Sequence, residues 1–295
     1  MSSSPVDRIE AWRDRGERFA YGGHGIHVHR QGGEGDEGSR LLLLHGFPSS
    51  SYDWRRLIDG PLAGRELLAP DFLGFGLSDK PRDHTYSLFW QADMIEALVG
   101  SYGDGPVHLV AHDMGTSVAT ELLARDLEGK LGFELAGVLL FNGSIVLERA
   151  SLTWAQRLLR SPAGPLAARL TSRFVFERQF GRLFSAGHPL EDEEASDQWE
   201  LIRAGGGRTL GHRLIHYLGE RVEHAQRWHG AIAIWPGDLR LLWGTADPVA
   251  TTAVLDALIE LRAVVPVERL EGIGHYPQIE VPDQVGRSIL ESLRR

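Results

Sequence analysis

A carboxylate lies at the junction between a short apolar run and a helical pattern. Residues 107–112 read Val-His-Leu-Val-Ala-His, and Asp113, Met114 and Gly115 follow before apolar residues recur at helical spacing. The small residues Ala111 and Gly115 permit a tight turn from strand to helix, which would hold the Asp113 side chain above the end of a sheet. A carboxylate held there attacks alkyl carbon and leaves an ester that water must cleave. Asp113 therefore predicts a nucleophile for carbon–halogen or epoxide C–O bonds, although aspartate is also a favoured helix N-cap.

Two further candidate residues follow other predicted strands. Asp247 lies in the loop after Leu239–Trp243, and His275 lies in the loop after Val265–Leu270. The chain order is therefore nucleophile, acid and histidine. In such a triad the histidine takes a proton from the attacking water, while the acid fixes the tautomer and stabilises the imidazolium. Each residue alone has an ordinary structural explanation, since Asp247 precedes a proline and a lone histidine is usually structural, but the three in this order are far more specific.

The elements that would position these residues alternate along the chain. A helix is predicted at 9–18, a hairpin at 18–30, strands at 40–44, 66–70, 107–112, 135–141, 239–243 and 265–270, and a helix at 87–100. Strands alternating with helices indicate an α/β fold with a mostly parallel, doubly wound sheet. From residue 145 to 235 no convincing strand is present, and the periodicity is helical. We therefore expect a core in two parts, 1–144 and 236–295, with a helical cap, 145–235, inserted between them.

Composition argues against several classes of function. The 295 residues include 31 Lys and Arg against 40 Asp and Glu, a net charge of -9 that is unsuited to nucleic acid. There is no cysteine, and the loop at 74–76 lacks the spacing of a nucleotide-binding motif. His24, His27 and His29 have no carboxylate cluster nearby in sequence, so we expect neither a metal nor a cofactor. The charged N-terminus and the absence of a long apolar run predict a cytoplasmic protein without a membrane partner.

Six motifs carry a family resemblance. They are HGFPSSSYDW from His45, DFLGFGLSDKP from Asp71, HDMG from His112, LFNGS from Leu140, HYLGER from His216 and GHYPQIEVPD from Gly274. Over about residues 21–293 the chain resembles the epoxide hydrolase and haloalkane dehalogenase branch of the α/β-hydrolases, and most closely the mesoderm-specific transcript hydrolases. The resemblance implies an α/β-hydrolase fold, an aspartate nucleophile, a histidine–aspartate pair that activates water, and a helical cap. It also implies an oxyanion hole formed by the backbone N–H groups of Phe47 and Met114.

Departures from the family pattern favour epoxides over halides. Haloalkane dehalogenases usually hold the halide with a Trp after the nucleophile and an Asn or Trp elsewhere. The matching residues here are Met114 and, for the Asn, Phe47, and neither side chain donates a hydrogen bond. Fluoroacetate dehalogenases place an arginine where Met114 stands. Epoxide hydrolases commonly protonate the opening oxygen with two cap tyrosines; the predicted cap has one, Tyr217, with His216 or a cap Trp as alternative donors.

The sequence thus predicts a cofactor-free hydrolase that acts on a small apolar organic substrate with water. The reaction would pass through an ester at Asp113, with epoxides ahead of halides, and the expected substrate contacts are His45, Tyr217 and Trp154. Three alternatives stay open: a haloalkane dehalogenase-like hydrolase, an esterase that uses the same site, and a non-catalytic ligand-binding protein on this fold. The sequence does not indicate an oligomeric state.

Overall fold

A computed structural model describes residues 4–33 and 39–294. Its strands are β1 (Gly16–Tyr21), β2 (His24–Gln31), β3 (Arg40–Leu44), β4 (Leu67–Pro70), β5 (Val107–His112), β6 (Leu135–Phe141), β7 (Leu239–Gly244) and β8 (Val267–Leu270). They form one eight-stranded sheet in the order β1-β2-β4-β3-β5-β6-β7-β8. The pairs β1–β2 and β2–β4 are antiparallel, and the other neighbours are parallel. The predicted α/β-hydrolase fold, with its mostly parallel sheet, is confirmed.

Helices cover both faces of the sheet and fill the segment between β6 and β7. They are α1 (Pro5–Asp14), α2 (Arg55–Ile58), α3 (Leu88–Ser101), α4 (Met114–Leu127), α5 (Trp154–Arg160), α6 (Gly164–Leu170), α7 (Arg173–Gly181), α8 (Asp192–Arg203), α9 (Gly211–Leu214), α10 (Tyr217–Glu223), α11 (Ala225–Ile234), α12 (Thr252–Leu261), α13 (Pro277–Glu280) and α14 (Pro282–Ser292). Within residues 4–33 and 39–294, no helix is long and apolar enough to span a bilayer.

The central strands are buried on both faces because helices pack on each side. In β3, Leu42 and Leu44 belong to the apolar cluster under α3 and α4, whereas Leu41 and Leu43 belong to the cluster under α2 and α14. Side chains alternate between the two faces of a strand, so a strand covered on both sides reads as a continuous aliphatic run. The carboxyl ends of the parallel strands therefore meet at one edge, where the loops that carry the candidate residues also meet.

Several predicted elements begin at different residues from those expected, including β1 at Gly16 rather than 18 and β4 at Leu67 rather than 66. Helix α1 covers Pro5–Asp14 rather than 9–18, because the Ser4 side chain accepts from the Asp7 backbone while the Asp7 side chain accepts from the Ser4 backbone. This capping box and the proline at the first turn fix the start of the helix. Strand β8 begins at Val267 rather than Val265, because Pro266 has no N–H to give to the sheet. The loop predicted between β2 and β3 falls partly on residues 34–38, outside the described residues.

We call residues 145–235 the helical insertion. Helix α11 anchors one end of it on α4, since the indole Nε1 of Trp228 donates to Glu121 at 2.9 Å and that of Trp235 donates to Asp126 at 2.6 Å. Helix α8 anchors the other end on α1 through ion pairs such as Arg8 to Asp197 at 2.7 Å. The insertion is therefore held to the rest of the fold through both α4 and α1.

Candidate active site

Asp113 lies at the apex of the turn between β5 and α4. Its backbone has φ 44° and ψ -110°, a conformation that is strained for any residue with a side chain. Gly115 allows the turn to lie against β3, because a Cβ there would meet the Leu44 carbonyl oxygen at 2.6 Å. The Asp113 side chain makes no capping hydrogen bond to α4. The ordinary N-cap explanation of this residue is therefore wrong.

The Asp113 carboxylate faces the loop after β3. The Phe47 backbone N–H donates to its Oδ2 at 2.8 Å. Gly46 makes this approach possible, since a Cβ there would lie 2.6 Å from the Asp113 Cβ. Among the described residues no hydrogen bond joins the Met114 N–H to this carboxylate, so of the two amides expected to form an oxyanion hole only that of Phe47 is seen to reach it. The contribution of Met114 stays a prediction.

His275 and Asp247 form a buried pair beside this turn. The His275 Nδ1–H donates to Asp247 Oδ2 at 2.6 Å, and the other carboxylate oxygen accepts from the backbone N–H groups of Val249 and Ala250 at 2.7 and 3.0 Å. Burial by itself lowers the pKa of His275, but the charge and hydrogen bond of Asp247 and the charge of Asp113 together raise it above the ordinary value. The structure thus brings the three predicted triad residues together, and the His275 Nε2 has no hydrogen bond to any other described residue.

Asn142 completes the support of Asp247 and was not anticipated from the sequence. Its Nδ2 donates to Asp247 Oδ2 at 2.7 Å, and its Oδ1 accepts from the Gly244 N–H at 3.0 Å. Its φ of 48° lies in the left-handed region, where asparagine is tolerated better than most residues. The sequence feature that could have indicated Asn142 is the Asn-Gly pair that directly follows β6. Strand β6 pairs with β7, and the loop after β7 carries Asp247.

Both ring nitrogens of His45 are bound to backbone groups and the residue does not line the cavity, so its expected role in substrate binding is wrong. Its Nδ1–H donates to the Gly46 carbonyl at 2.8 Å, and its Nε2 accepts from the Phe72 N–H at 2.9 Å. Burial lowers its pKa, so the ring stays neutral in this tautomer. Both ring nitrogens are therefore committed to the backbone of the loops after β3 and β4, and His45 positions the amide of Phe47 rather than a substrate.

Tyr217, at the start of α10, is buried beside Asp113. Its ring centroid lies 6.0 Å from that of Phe47, and its hydroxyl is buried without a hydrogen-bond partner among the described residues. Burial, followed by the charge of Asp113, raises its pKa far above the ordinary value, so the hydroxyl stays protonated. A protonated hydroxyl with no partner inside the protein is an available hydrogen-bond donor.

Arg221, one turn further along α10, is a second residue that the sequence did not single out. The guanidinium is fully buried and donates to the Ser117 hydroxyl at 2.7 Å, to the Ser144 hydroxyl, and to the Asp113 backbone carbonyl at 2.9 Å. Its Nη2 also lies 3.9 Å from Asp113 Oδ1. No spacing pattern marks an arginine whose partners lie in distant segments, although it falls within the HYLGER motif.

A cavity of about 360 Å³ opens between the helical insertion and the loops after β3 and β4. Its lining includes Phe47 and His275. Asp113 and Tyr217 contact Phe47 but are not among the residues that line the cavity. Trp154 lines the cavity with 65% of the residue exposed, and the substrate contact expected of it stays a prediction. The other lining residues are mostly apolar and include Phe75, Leu159, Phe176, Phe180 and Leu214.

No group of three or more His, Asp or Glu side chains in the described part of the chain is placed to hold a metal ion. The histidines of β2 serve packing instead. His29 stacks on the Trp12 indole with ring centroids 4.4 Å apart, and burial lowers its pKa to about 4. These rings are part of the contact between α1 and the sheet.

Comparison with known proteins identifies the family. A sequence profile described as "Alpha/beta hydrolase family" matches residues 41–287. The chain belongs to this family. This α/β-hydrolase is 52% identical over 285 residues to "Putative hydrolase LipZ" of Mycobacterium tuberculosis, covering 97% of this chain and 98% of the relative. It is 35% identical over 287 residues to the mesoderm-specific transcript homolog protein of Bos taurus, covering 93% and 84%. The resemblance predicted from the motifs is thereby confirmed.

A solved structure of similar fold is the haloalkane dehalogenase DbeA from Bradyrhizobium elkani. It superimposes with a TM-score of 0.78 at 24% identity, over 94% of this α/β-hydrolase and 96% of that chain. Identity at this level supports the fold alone. The bond that this α/β-hydrolase breaks therefore depends on the residues of its own site and does not follow from this likeness.

Proposed function

We propose that this α/β-hydrolase forms an alkyl ester at Asp113 and that His275 activates the water that cleaves the ester. The observation that carries the proposal is the placement of the Asp113 carboxylate. It lies on a strained turn, accepts the Phe47 N–H at 2.8 Å, and is near enough to the His275–Asp247 pair to affect the pKa of His275. A carboxylate there can attack carbon directly, since it needs no base to ionise it.

The charges around His275 favour the second step once the first has occurred. The Asp113 carboxylate is one of the charges that raise the pKa of His275. Conversion to an ester removes that charge, so the His275 pKa should fall in the intermediate. A neutral imidazole can accept a proton from water, whereas an imidazolium cannot. The reaction would therefore produce its own base at the stage where a base is required, with Asp247 stabilising the imidazolium that follows.

The environment of Asp113 supports an epoxide as the substrate. An opening epoxide oxygen gains negative charge and needs a proton donor, and the Tyr217 hydroxyl is protonated and has no partner within the described residues. A departing halide needs hydrogen-bond donors, but the side chains of Phe47 and Met114 at the matching positions have none. The cavity lining is mostly apolar, which suits a small apolar molecule. We further propose that the helical insertion acts as the cap over this site.

A substrate panel tests the class of bond. Terminal epoxides, bromoalkanes and aryl esters would be incubated with the purified protein, and diol, halide and phenol release measured. We expect diol release above the other two activities. Halide or phenol release as the main activity would reject the epoxide assignment and favour the dehalogenase or esterase alternative. If none of the three products forms, the ligand-binding alternative is favoured.

Replacing His275 by Gln tests the mechanism. Esterification does not need His275 but hydrolysis does, so this variant should retain a mass increase equal to the epoxide, or to the alkyl group of a halide. Intact-protein mass spectrometry followed by peptide mapping would detect the increase and place it on Asp113. The matched Asp113→Asn protein should carry no adduct. Turnover by an adduct-free His275→Gln protein would exclude the ester mechanism, and an adduct at another residue would exclude Asp113 as the nucleophile.

A further inference from the structure

The outer surface of the helical insertion carries an unusual number of exposed apolar side chains. Ten large apolar residues are exposed in the described part of the chain, and five of them lie on α5, α6 and α7. We call these five residues the apolar patch: Trp154 at 65%, Leu166 at 61%, Leu170 at 70%, Phe174 at 70% and Val175 at 41% exposure. Single exposed apolar residues are ordinary on soluble proteins, but a concentration in one short stretch marks an interaction surface.

The same helices are strongly basic in an otherwise acidic protein. Residues 154–182 contain six arginines and one acidic residue, Glu177, whereas the whole chain has a net charge of -9. All six arginines are exposed: Arg157, Arg160, Arg169, Arg173, Arg178 and Arg182. Glu177 pairs with Arg173 at 2.6 Å, and within the described residues no ion pair joins the other five to an acidic side chain. The patch therefore lies among arginines of which only Arg173 has an acidic partner within the described residues.

The apolar and basic side chains share the outward faces of their helices. In α7, Phe176 and Phe180 are buried, which leaves Phe174 and Arg178, four positions apart, toward solvent. In α6, Ala168 is buried while Leu166 and Leu170 are exposed on either side of Arg169. In α5, Trp154, Arg157 and Arg160 recur at intervals of three. Bulky apolar residues interspersed with arginine are the composition of helices that lie in the interface of a lipid layer.

The apolar patch is continuous with the cavity of the candidate site. Trp154, Leu170 and Val175 belong to the patch and also line the cavity. A surface seated on the patch would therefore face the cavity mouth, and an apolar molecule could pass from that surface to the site without crossing water. This continuity distinguishes the patch from an apolar face placed elsewhere on the protein.

We propose that the outward face of α5, α6 and α7 docks on a lipid surface that carries negative charge. The arginines would meet anionic headgroups while Trp154, Leu166, Leu170 and Phe174 enter the acyl boundary. A symmetric contact with a second copy is less suited, because a two-fold axis would place the arginines of both copies together. The inference goes beyond the proposed reaction and does not depend on which bond is broken. It departs from the sequence-based expectation of no membrane partner, which rested on the charged N-terminus and the absence of a long apolar run.

Vesicle co-sedimentation tests the inference. The full chain would be mixed with vesicles of phosphatidylcholine alone or with about one third phosphatidylglycerol, at low and high salt. We expect binding to the anionic vesicles that is at least about tenfold tighter than to the neutral ones and that weakens with salt. Equal binding to both vesicles would reject the role of charge, and no binding to either would reject the docking surface.

Paired variants separate the two contributions. Leu166→Ser with Phe174→Ser changes patch residues that do not line the cavity, and should weaken binding to anionic vesicles at least about tenfold. Arg157→Gln, Arg160→Gln and Arg178→Gln should each weaken it about fivefold. The matched controls are Val264→Ser, which lies before the amino end of β8, and Arg287→Gln on α14. Both variants should bind the vesicles as the wild type does.

Thermal unfolding would confirm that each variant is folded, and size-exclusion chromatography would report self-association. Patch variants that are folded yet bind as the wild type would overturn the proposal. So would a wild-type dimer that the Leu166→Ser, Phe174→Ser protein cannot form, because the patch would then be an interface between two copies of this chain.

Discussion

At the scale of single residues, the site combines charged groups that are partly neutralised with a tyrosine hydroxyl that has no partner within the described residues. Asp113 accepts one backbone N–H and lies 3.9 Å from the Arg221 guanidinium, while His275 is bound to Asp247. The Tyr217 hydroxyl, by contrast, has no partner in the described part of the chain although it is buried. An unsatisfied buried hydroxyl costs about 1–3 kcal/mol, so its retention beside the nucleophile argues for a function in the reaction.

Replacing Tyr217 by Phe should separate epoxide opening from halide displacement. A positioned general acid contributes about 10²- to 10⁴-fold, so kcat/KM for an epoxide should fall within that range. A bromoalkane, whose leaving group needs no proton, should lose less than about tenfold. Steady-state kinetics with both substrates would measure the difference. Tyr102→Phe is the control, since that hydroxyl contacts Glu17 outside the site. Parallel losses on both substrates in Tyr217→Phe would show that the hydroxyl acts on the arrangement of the site and not as a proton donor to the opening epoxide oxygen.

The triad residues could be predicted from the sequence, whereas the residues that hold them in position, Asn142 and Arg221, could not. Asp113, Asp247 and His275 each follow a strand of a parallel sheet, and the carboxyl ends of such strands meet at one edge. Asn142 and Arg221 contact partners 105 and 104 positions away in the chain, Asp247 and Ser117 respectively. Sequence spacing carries no information on such contacts. His45 was misjudged for the same reason, because its hydrogen bonds to the Gly46 and Phe72 backbones become visible only in three dimensions.

At the scale of elements, α10 connects the helical insertion to the nucleophile turn. Arg221 donates to the Ser117 hydroxyl on α4, to the Ser144 hydroxyl after β6 and to the Asp113 carbonyl. One guanidinium therefore fixes three segments at once, and it lies over the Tyr217 ring with its carbon 4.7 Å from the ring centroid. We infer that Arg221 is a positioning residue for both Asp113 and Tyr217.

Replacing Arg221 by Lys should leave the protein folded but slow the formation of the ester. Lysine keeps the charge but cannot reproduce the planar array of donors that reaches three acceptors. A displacement of about 1 Å at a reacting group can cost about 100-fold, so we expect a loss of roughly 10- to 100-fold. The single-turnover rate of adduct formation in a His275→Gln background measures this step alone. Arg213→Gln, an exposed arginine of the same insertion, serves as the control. An unchanged rate in Arg221→Lys would assign Arg221 to stability only.

The bounds of a strand or helix could be predicted where the residues of that segment alone determine them. Strands β3 and β6 have the bounds that their aliphatic runs predicted, and α3 begins after the predicted N-cap Ser87, whose side chain accepts from the Phe89 N–H. Within the helical insertion only the helical character was predicted. Its helices are short, and their ends depend on packing against α1, α4 and the cavity rather than on strong local signals.

At the scale of the whole molecule, a buried ionic network joins the N-terminal helix, the core and the helical insertion. Asp197 on α8 is completely buried and accepts from the Arg8 guanidinium of α1 at 2.7 Å and from the Tyr52 hydroxyl at 2.7 Å. Burial raises the pKa of Tyr52, so its hydroxyl remains a donor to Asp197. The residues that follow these two in the chain are also paired: Asp53 accepts from the Gln198 amide at 2.8 Å, and burial raises the pKa of Asp53 to about 7.

Replacing Asp197 by Ala should weaken the whole fold. The change removes the shared acceptor of Arg8 and Tyr52, and breaking a buried charge pair from one side costs about 3–5 kcal/mol. Because the Arg8 side chain is 16% exposed and water can reach it, we expect the lower end of that range. The free energy of unfolding from urea titration, followed by tryptophan fluorescence, measures the loss.

Glu193→Ala is a close control, since Glu193 approaches the same guanidinium at 3.5 Å but is 57% exposed. Its loss should stay below about 1 kcal/mol, as for other exposed pairs; equal losses in the two variants would show that burial of Asp197 does not determine how firmly the insertion is held.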